Sequence, residues 1–472
     1  MATVTKDTKQ VTFETTGIER VPESERGHTE IRDTIWLWWS ANTVVATVVL
    51  GTINVFFGLG FWGSVIVILV FNALGVLPVA FLSTLGPKTG LAQMPLTRFA
   101  FGMQGAKLPA IFNALACIGW SAVNAIIGSS LLVQWSDNRI PFAAALIFLA
   151  LVTTAISVFG YFIVHRYERF AWLPMLVLFG FVLFASASKY DIGSLSAPAL
   201  TDGLALFAAI ATFGGAIFGY AVGWSSYAAD YTRRQPANTP ARKVFWYAYA
   251  GVAVPCILLE ILGVLLTSVR GGSDLVFGGS LPGPIFSNAI GTSQLAGLVI
   301  GLLALSTIAN NVPNDYSFAL STQVMGIRVK RWMLTIVGAV TYVIVALVLQ
   351  TNFSHNLENF LLVIAYWLGA WNAIILIEHR MRKGKYPIED YQTANKLPVG
   401  IAAVVSMLVG LAIAALGVSQ TIFTGPLAGL LHDSFMDSQK MSPADIGFPL
   451  AIITAGVLYY FLRRWELARY KR

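Results

Sequence analysis

The chain has 472 residues, of which 56% are hydrophobic and only 11% charged, against about 25% charged in ordinary soluble domains. Repeated apolar runs of about 20 residues can each cross a ~30 Å hydrocarbon core as a helix, and stretches such as 65–79 and 143–158 lack both charge and a polar stripe, which excludes a soluble bundle. The net charge of +8 does not mark a nucleic-acid binder, because the basic residues cluster between apolar runs as the positive-inside rule requires.

Residues 1–32 are polar and carry no apolar signal segment, so they read as a cytoplasmic tail. Twelve spans follow, at roughly 34–58, 61–85, 108–136, 141–163, 168–188, 204–231, 244–268, 293–324, 331–351, 357–379, 398–420 and 446–463. With the N-terminus inside, every one of the 31 lysines and arginines falls on the inner side except Arg139, Lys189, Arg270 and Lys440. A miscounted span would scramble that parity. The expectation is an all-α integral membrane protein of twelve transmembrane helices, in a cell membrane, with both termini cytoplasmic. Cys117 and Cys256 lie inside apolar runs, so no disulfide framework is indicated.

Span one carries Ser40-Ala41-Asn42-Thr43 and then Gly51 where a plain helix would carry leucine. Span six carries Gly214-Gly215, Gly219, Gly223 and Ser225-Ser226. Five spans separate the two, so they open two five-helix halves, residues 33–190 and 191–390. An odd repeat length inverts the second half, and broken first helices in such repeats mark a binding site at the membrane midplane. Glycine also serves plain close packing of membrane helices, the competing reading. Spans eleven and twelve, within 391–472, are accessory.

Mid-span polar side chains face the protein interior or a cavity. In span three Trp120 and Asn124 stand four apart on one helix face, as do Tyr220 and Trp224 in span six. In span eight Asn310-Asn311-Val312-Pro313-Asn314-Asp315 interrupts an apolar run. Rings offer flat faces for stacking, and carboxamides offer a donor and an acceptor side by side. The set suits a small, flat, neutral solute, and no lysine or arginine lies among these residues to meet an anion. Tryptophan as packing and asparagine as interhelical glue are the bland alternatives. Apart from Glu168, Glu358 and Glu378 at span ends, the acidic residues within spans are Glu260 in span seven, Asp315 in span eight and Asp230 at the end of span six. A buried carboxyl can carry a proton; hydrogen-bonded structural roles compete, and for Asp230 so does pairing with Arg233.

No pore-lining charge ring suggests a channel. The five histidines (His28, His165, His355, His379, His432) fall in the tail, loops or span ends without metal-ligand spacing, so an enzyme, a metal site and a cofactor are not expected.

Gly86-Pro87-Lys88-Thr89-Gly90-Leu91, Arg98-Phe99-Ala100-Phe101-Gly102, Gly119-Trp120, Tyr227-Ala228-Ala229-Asp230-Tyr231 and Asn310-Asn311-Val312-Pro313-Asn314-Asp315-Tyr316 resemble, in order and spacing, motifs of the nucleobase–cation symporter-1 family. That resemblance implies a LeuT-type 5+5 inverted repeat and cation-coupled uptake of nucleobases or related heterocycles. Within the family the chain resembles more the purine–cytosine permeases of the fungal type. Trp120, Asn124 and Asn314 then match base-binding positions, with Ser40 or Asn42 the polar contact from span one. The resemblance leaves thiamine, pyridoxine, allantoin or uracil as alternative solutes. Sodium-coupled bacterial members carry adjacent hydroxyl residues shortly before the span-eight asparagine. Directly before Asn314 stand Val312-Pro313, which offer no side-chain oxygen to a hard cation, so a proton is the expected coupling ion. A register shifted to Ser306-Thr307 would restore the hydroxyl pair. The stacking aromatic of span six in those members aligns with Ala221, which leaves Tyr220 or Trp224 to take the role.

Overall fold

The structure is a computed structural model that describes residues 17–27, 31–159, 161–195, 203–327, 329–438 and 441–472, with the side chains of 159–171 left aside. Lys6, Lys9, His28, His165, Arg166, Glu168, Arg169, Arg328 and Lys440, used in the sequence argument, lie outside what is described.

A helix occupies each of the twelve expected runs. Among the described residues eight are long and apolar enough to cross a membrane unaided, including Lys107–Trp135 (span three), Gly203–Tyr227 (span six), Ala241–Ser268 (span seven), Gln294–Val324 (span eight) and Phe353–Met381 (span ten). Span one is a pair, Asp33–Asn42 and Val45–Phe57, bent by 52°. Spans four and eleven contain the shorter apolar helices Phe142–Val158 and Ile401–Leu416. Span twelve, Gly447–Tyr470, ends in charged turns. A two-stranded hairpin pairs Ser419–Gln420 with Phe423–Thr424 in the loop between spans eleven and twelve, a small departure from all-α. Outside the hydrocarbon, backbone groups need not be satisfied within one helix.

The break in span one follows from its short polar side chains. Asn42 Nδ2 donates to Trp38 O at 2.8 Å and Thr43 Oγ1 to Trp39 O at 2.6 Å, so side chains take carbonyls at the end of the first helix. Val44 is then extended, and Val45 N–H, which opens the second helix, donates to Ser306 Oγ of span eight at 3.0 Å.

Span six breaks later than its glycines suggest. The helix runs unbroken through Gly214, Gly215 and Gly219 to Gly223, and a 3-10 turn follows at Trp224–Tyr227. The earlier glycines do pack closely: a Cβ on Gly214 would strike the Phe71 ring and one on Gly219 the Leu361 carbonyl. For those positions the close-packing reading holds. Span eight likewise does not unwind at its asparagines. It breaks at Leu305, between Gln294–Ala304 and Ser306–Val324, and Pro313 sits inside the second helix.

Two attachments fix the periphery. Glu466 of span twelve accepts Gly400 N–H at 2.7 Å and Ala402 N–H at 3.0 Å, which satisfies the start of span eleven. Arg463 grips Glu378 of span ten through Nε and Nη2, both at 3.1 Å. On the face holding the C-terminus, Val21 N–H donates to Gly90 O at 2.9 Å and Arg26 Nη1 to Pro87 O at 2.8 Å. The Gly86–Leu91 loop thus holds the incoming chain.

Candidate functional site

The two breaks meet at the centre of the bundle. Trp224, first residue of the span-six turn, donates its indole N–H to Asn42 Oδ1 at 2.9 Å, just ahead of the span-one break. Beside this junction lies a small cavity lined by Trp120, Tyr220, Gly223, Trp224, Tyr227, Asn310 and Asn314. Spans three, six and eight all contribute. Its free volume is about 10 Å³, no more than the ~10–15 Å³ that one water requires. The site is closed around its own side chains.

Rings form its walls. Trp120 meets Tyr220 edge-on at 5.4 Å and Phe360 of span ten edge-on at 4.9 Å. Trp224 meets Tyr227 edge-on at 5.4 Å. Gly223 leaves the Trp120 indole exposed to the cavity, since even an added Cβ would touch its Nε1 at 3.6 Å. Tyr220 is fixed by its hydroxyl, 2.7 Å from Thr47 Oγ1 of span one.

Amides form the polar edge. Tyr227 donates its hydroxyl to Asn314 Oδ1 at 3.0 Å, and Asn314 Nδ2 donates back to Asn310 O at 3.1 Å. Asn310 Nδ2 donates to Ala41 O, at the end of the first half of span one, at 2.6 Å. Asn124 Nδ2 donates to Trp120 O at 2.9 Å and to Asn310 Oδ1 at 2.7 Å. The buried Asn124 Oδ1 and Ser40 Oγ have no partner, so each retains hydrogen-bonding capacity next to the junction. The lining set contains no charged side chain among the described residues.

Of the residues expected from sequence, Trp120, Tyr220, Trp224, Asn310 and Asn314 line one cavity. Asn124 and Asn42 stand directly behind it, each bonded to a lining residue. Asn311 turns away, and its Nδ2 donates to Ser121 O of span three at 3.2 Å. Ser40 is buried beside the break without lining the cavity. Both Tyr220 and Trp224 line the cavity. Tyr227 and Phe360 were missed as lining or wall groups. Tyr227 could have been found three residues beyond Trp224, on the same side of a 3-10 turn. Phe360 gave no local signal, because it reaches the site only through the packing of span ten.

None of the three carboxyl groups lines the cavity. Glu260 Oε2 accepts a hydrogen bond from Asn72 Nδ2 of span two, while Glu260 Oε1 and Asn72 Oδ1 are buried without partners. Asp315 Oδ2 accepts from Ser157 Oγ of span four at 3.1 Å. Asp230 accepts from Gln93 N–H at 2.7 Å and Ser317 Oγ at 3.2 Å. Arg233, weighed as the partner of Asp230, also donates to Gly17 O at 3.0 Å and Tyr316 Oη at 2.8 Å.

A family profile described as permease for cytosine/purines, uracil, thiamine, allantoin matches residues 20–434. The purine-cytosine permease fcyB of Emericella nidulans is 35% identical over 477 residues, covering 98% of this chain and 91% of that protein. The purine-cytosine permease FCY2 of Saccharomyces cerevisiae is 33% identical over 481 residues, covering 97% and 87%. Among solved structures Mhp1, a nucleobase-cation-symport-1 family transporter in a closed conformation with bromovinylhydantoin bound, is similar with a TM-score of 0.72 at 17% identity, over 98% of this chain and 97% of that one. The chain shares the LeuT-type fold of Mhp1, and the family match makes it a multi-pass membrane transporter, not an enzyme. The chain belongs to the family of permeases for cytosine/purines, uracil, thiamine and allantoin.

Proposed function

We propose that this protein imports cytosine and purines across a plasma membrane by proton symport with alternating access, its termini in the cytoplasm. The observation that carries the reading is the uncharged cavity of rings and amides, Trp120, Tyr220, Trp224 and Tyr227 with Asn310 and Asn314. Rings stack on a flat base, and Asn314 and Asn124 supply the paired donor and acceptor that a base edge needs. The relatives named purine-cytosine permeases support the same solutes.

Two features support a proton over sodium. Asn310 Nδ2 already takes the Ala41 carbonyl at the break, and Ser306 Oγ already accepts Val45 N–H. Oxygens that a hard cation would use are engaged by neutral donors, and Val312-Pro313 add none. Of the three carboxyl groups, Glu260 fits a proton carrier best. Its free Oε1 faces no donor, and its backbone carbonyl abuts Gly51 in the second half of span one. Movement of that half would therefore be felt at Glu260. Asp315 and Asp230 are the alternatives.

Uptake of labelled cytosine, adenine, hypoxanthine, uracil, allantoin, thiamine and pyridoxine into a transport-null host tests the reading. Saturable uptake of cytosine or a purine is expected. Uptake of a vitamin or ureide alone would overturn the nucleobase assignment.

A further inference from the structure

A second cavity, of about 220 Å³, lies at the end of the bundle opposite the C-terminus, the face that the charge tally reads as external. Phe56 at the end of span one, Phe277 after span seven, His355 and Glu358 in the first turns of span ten, and Gln420 of the outer hairpin contribute to its lining. Its walls are aromatic: Phe56 stacks on the His355 ring at 4.7 Å and 21°, and meets Phe277 edge-on at 5.6 Å.

Glu358 gives this cavity a chemical preference. Its side chain is only 14% exposed, and it pairs with His355 Nδ1 at 3.8 Å, longer than a hydrogen bond. A largely buried carboxylate with unspent acceptor capacity therefore borders an aromatic-walled space. Carboxylates accept N–H and cannot donate, so a base amino group satisfies Glu358 whereas a carbonyl oxygen is repelled.

The cavity also lies on the way to the central site. Thr212, on its wall, and Tyr220, on the central cavity, belong to one helix. Eight residues separate them, about 12 Å at 1.5 Å per residue. Two residues beyond Glu358 on span ten, Phe360 packs its ring on Trp120.

We propose that this outer cavity is a second solute site, which captures the base before the central site opens, and in which Glu358 favours rings bearing an exocyclic amino group. The proposal rests on the nucleobase reading above. Its test is the apparent KM for cytosine and adenine, which carry an exocyclic amino group, against uracil and hypoxanthine, which carry a carbonyl at that ring position, in Glu358→Gln with surface expression matched to wild type. The KM for the amino bases is expected to rise about ten-fold, the scale of one hydrogen bond to a charged group. For the oxo bases it should stay level or fall, because the glutamine amide can donate to a carbonyl. Phe277→Ala, a change at an exposed ring, is expected to raise KM for both classes. Equal shifts across all four bases in Glu358→Gln, or unchanged KM values in both variants, would overturn the proposal while wild-type base uptake left the function standing. Absence of base uptake by the wild type would remove both.

Discussion

Trp120 and Asn314 illustrate how much one side chain carries in a closed site. The Trp120 ring is bordered by Tyr220, Phe360 and Gly223, so it is both a wall and a stacking surface. Its removal by Trp120→Ala forfeits stacking and apolar burial together, about 2–3 kcal/mol, or roughly 30- to 150-fold in base affinity. Asn314→Ala leaves Tyr227 Oη without its acceptor and removes the amide edge, and should abolish measurable binding. Equilibrium binding of labelled base to purified, normally expressed protein checks both. Unchanged affinity in either variant would return that residue to packing. Glu260→Gln keeps the shape of the side chain and removes its proton. Uptake by this variant is expected to lose its response to an imposed pH gradient, with binding of the base within about two-fold of wild type, as a group off the cavity should allow. Retained coupling in liposome assays would end the candidacy of Glu260.

At the scale of elements, spans one and seven cross unusually closely. A Cβ on Gly51 would sit 1.9 Å from Glu260 O, and one on Gly263 would sit 2.0 Å from Val48 O. The two glycines let the backbones touch from either side. Gly51→Ala or Gly263→Ala is expected to cost about 1–3 kcal/mol through overpacking, lowering the unfolding midpoint of the detergent-solubilised protein by about 1–3 °C. Gly297→Ala, where a Cβ meets nothing within 4 Å, should leave the midpoint unchanged. A loss in Gly297→Ala equal to that in the other two would refute the close-crossing explanation. The glycines of span six illustrate the limit of element-level reading. A Gly-rich run has the same composition whether it unwinds or admits a neighbour. Gly214 and Gly219 admit Phe71 and Leu361, and the turn falls instead at Trp224–Tyr227.

For the whole molecule, the closed central cavity and the larger cavity above it fit a carrier in which span ten covers the site. Coupling is a property at this scale, because none of the carboxyl groups lines the central cavity. Uptake should collapse with a protonophore and be indifferent to replacement of sodium by potassium. Strict sodium dependence would overturn the argument from Asn310, Ser306 and Val312-Pro313.

The sequence by itself determined the membrane class, the succession of twelve apolar runs and most residues of the central site. Apolar length and charge sign act locally against the bilayer, so they can be read without knowing any contact. Trp120, Asn124, Tyr220 and Trp224 were legible because four-residue spacing places them on one helix face. Tertiary structure alone decided which polar groups face the cavity and which lock helices together. Neighbouring asparagines at 310 and 311 have the same chemistry, but helical rotation turns one to the site and the other to span three. Phe360 over Trp120, Asn72 beside Glu260 and the placing of Glu358 in an aromatic vestibule each join residues far apart in the chain. No local pattern encodes such pairings; they exist only once the helices pack.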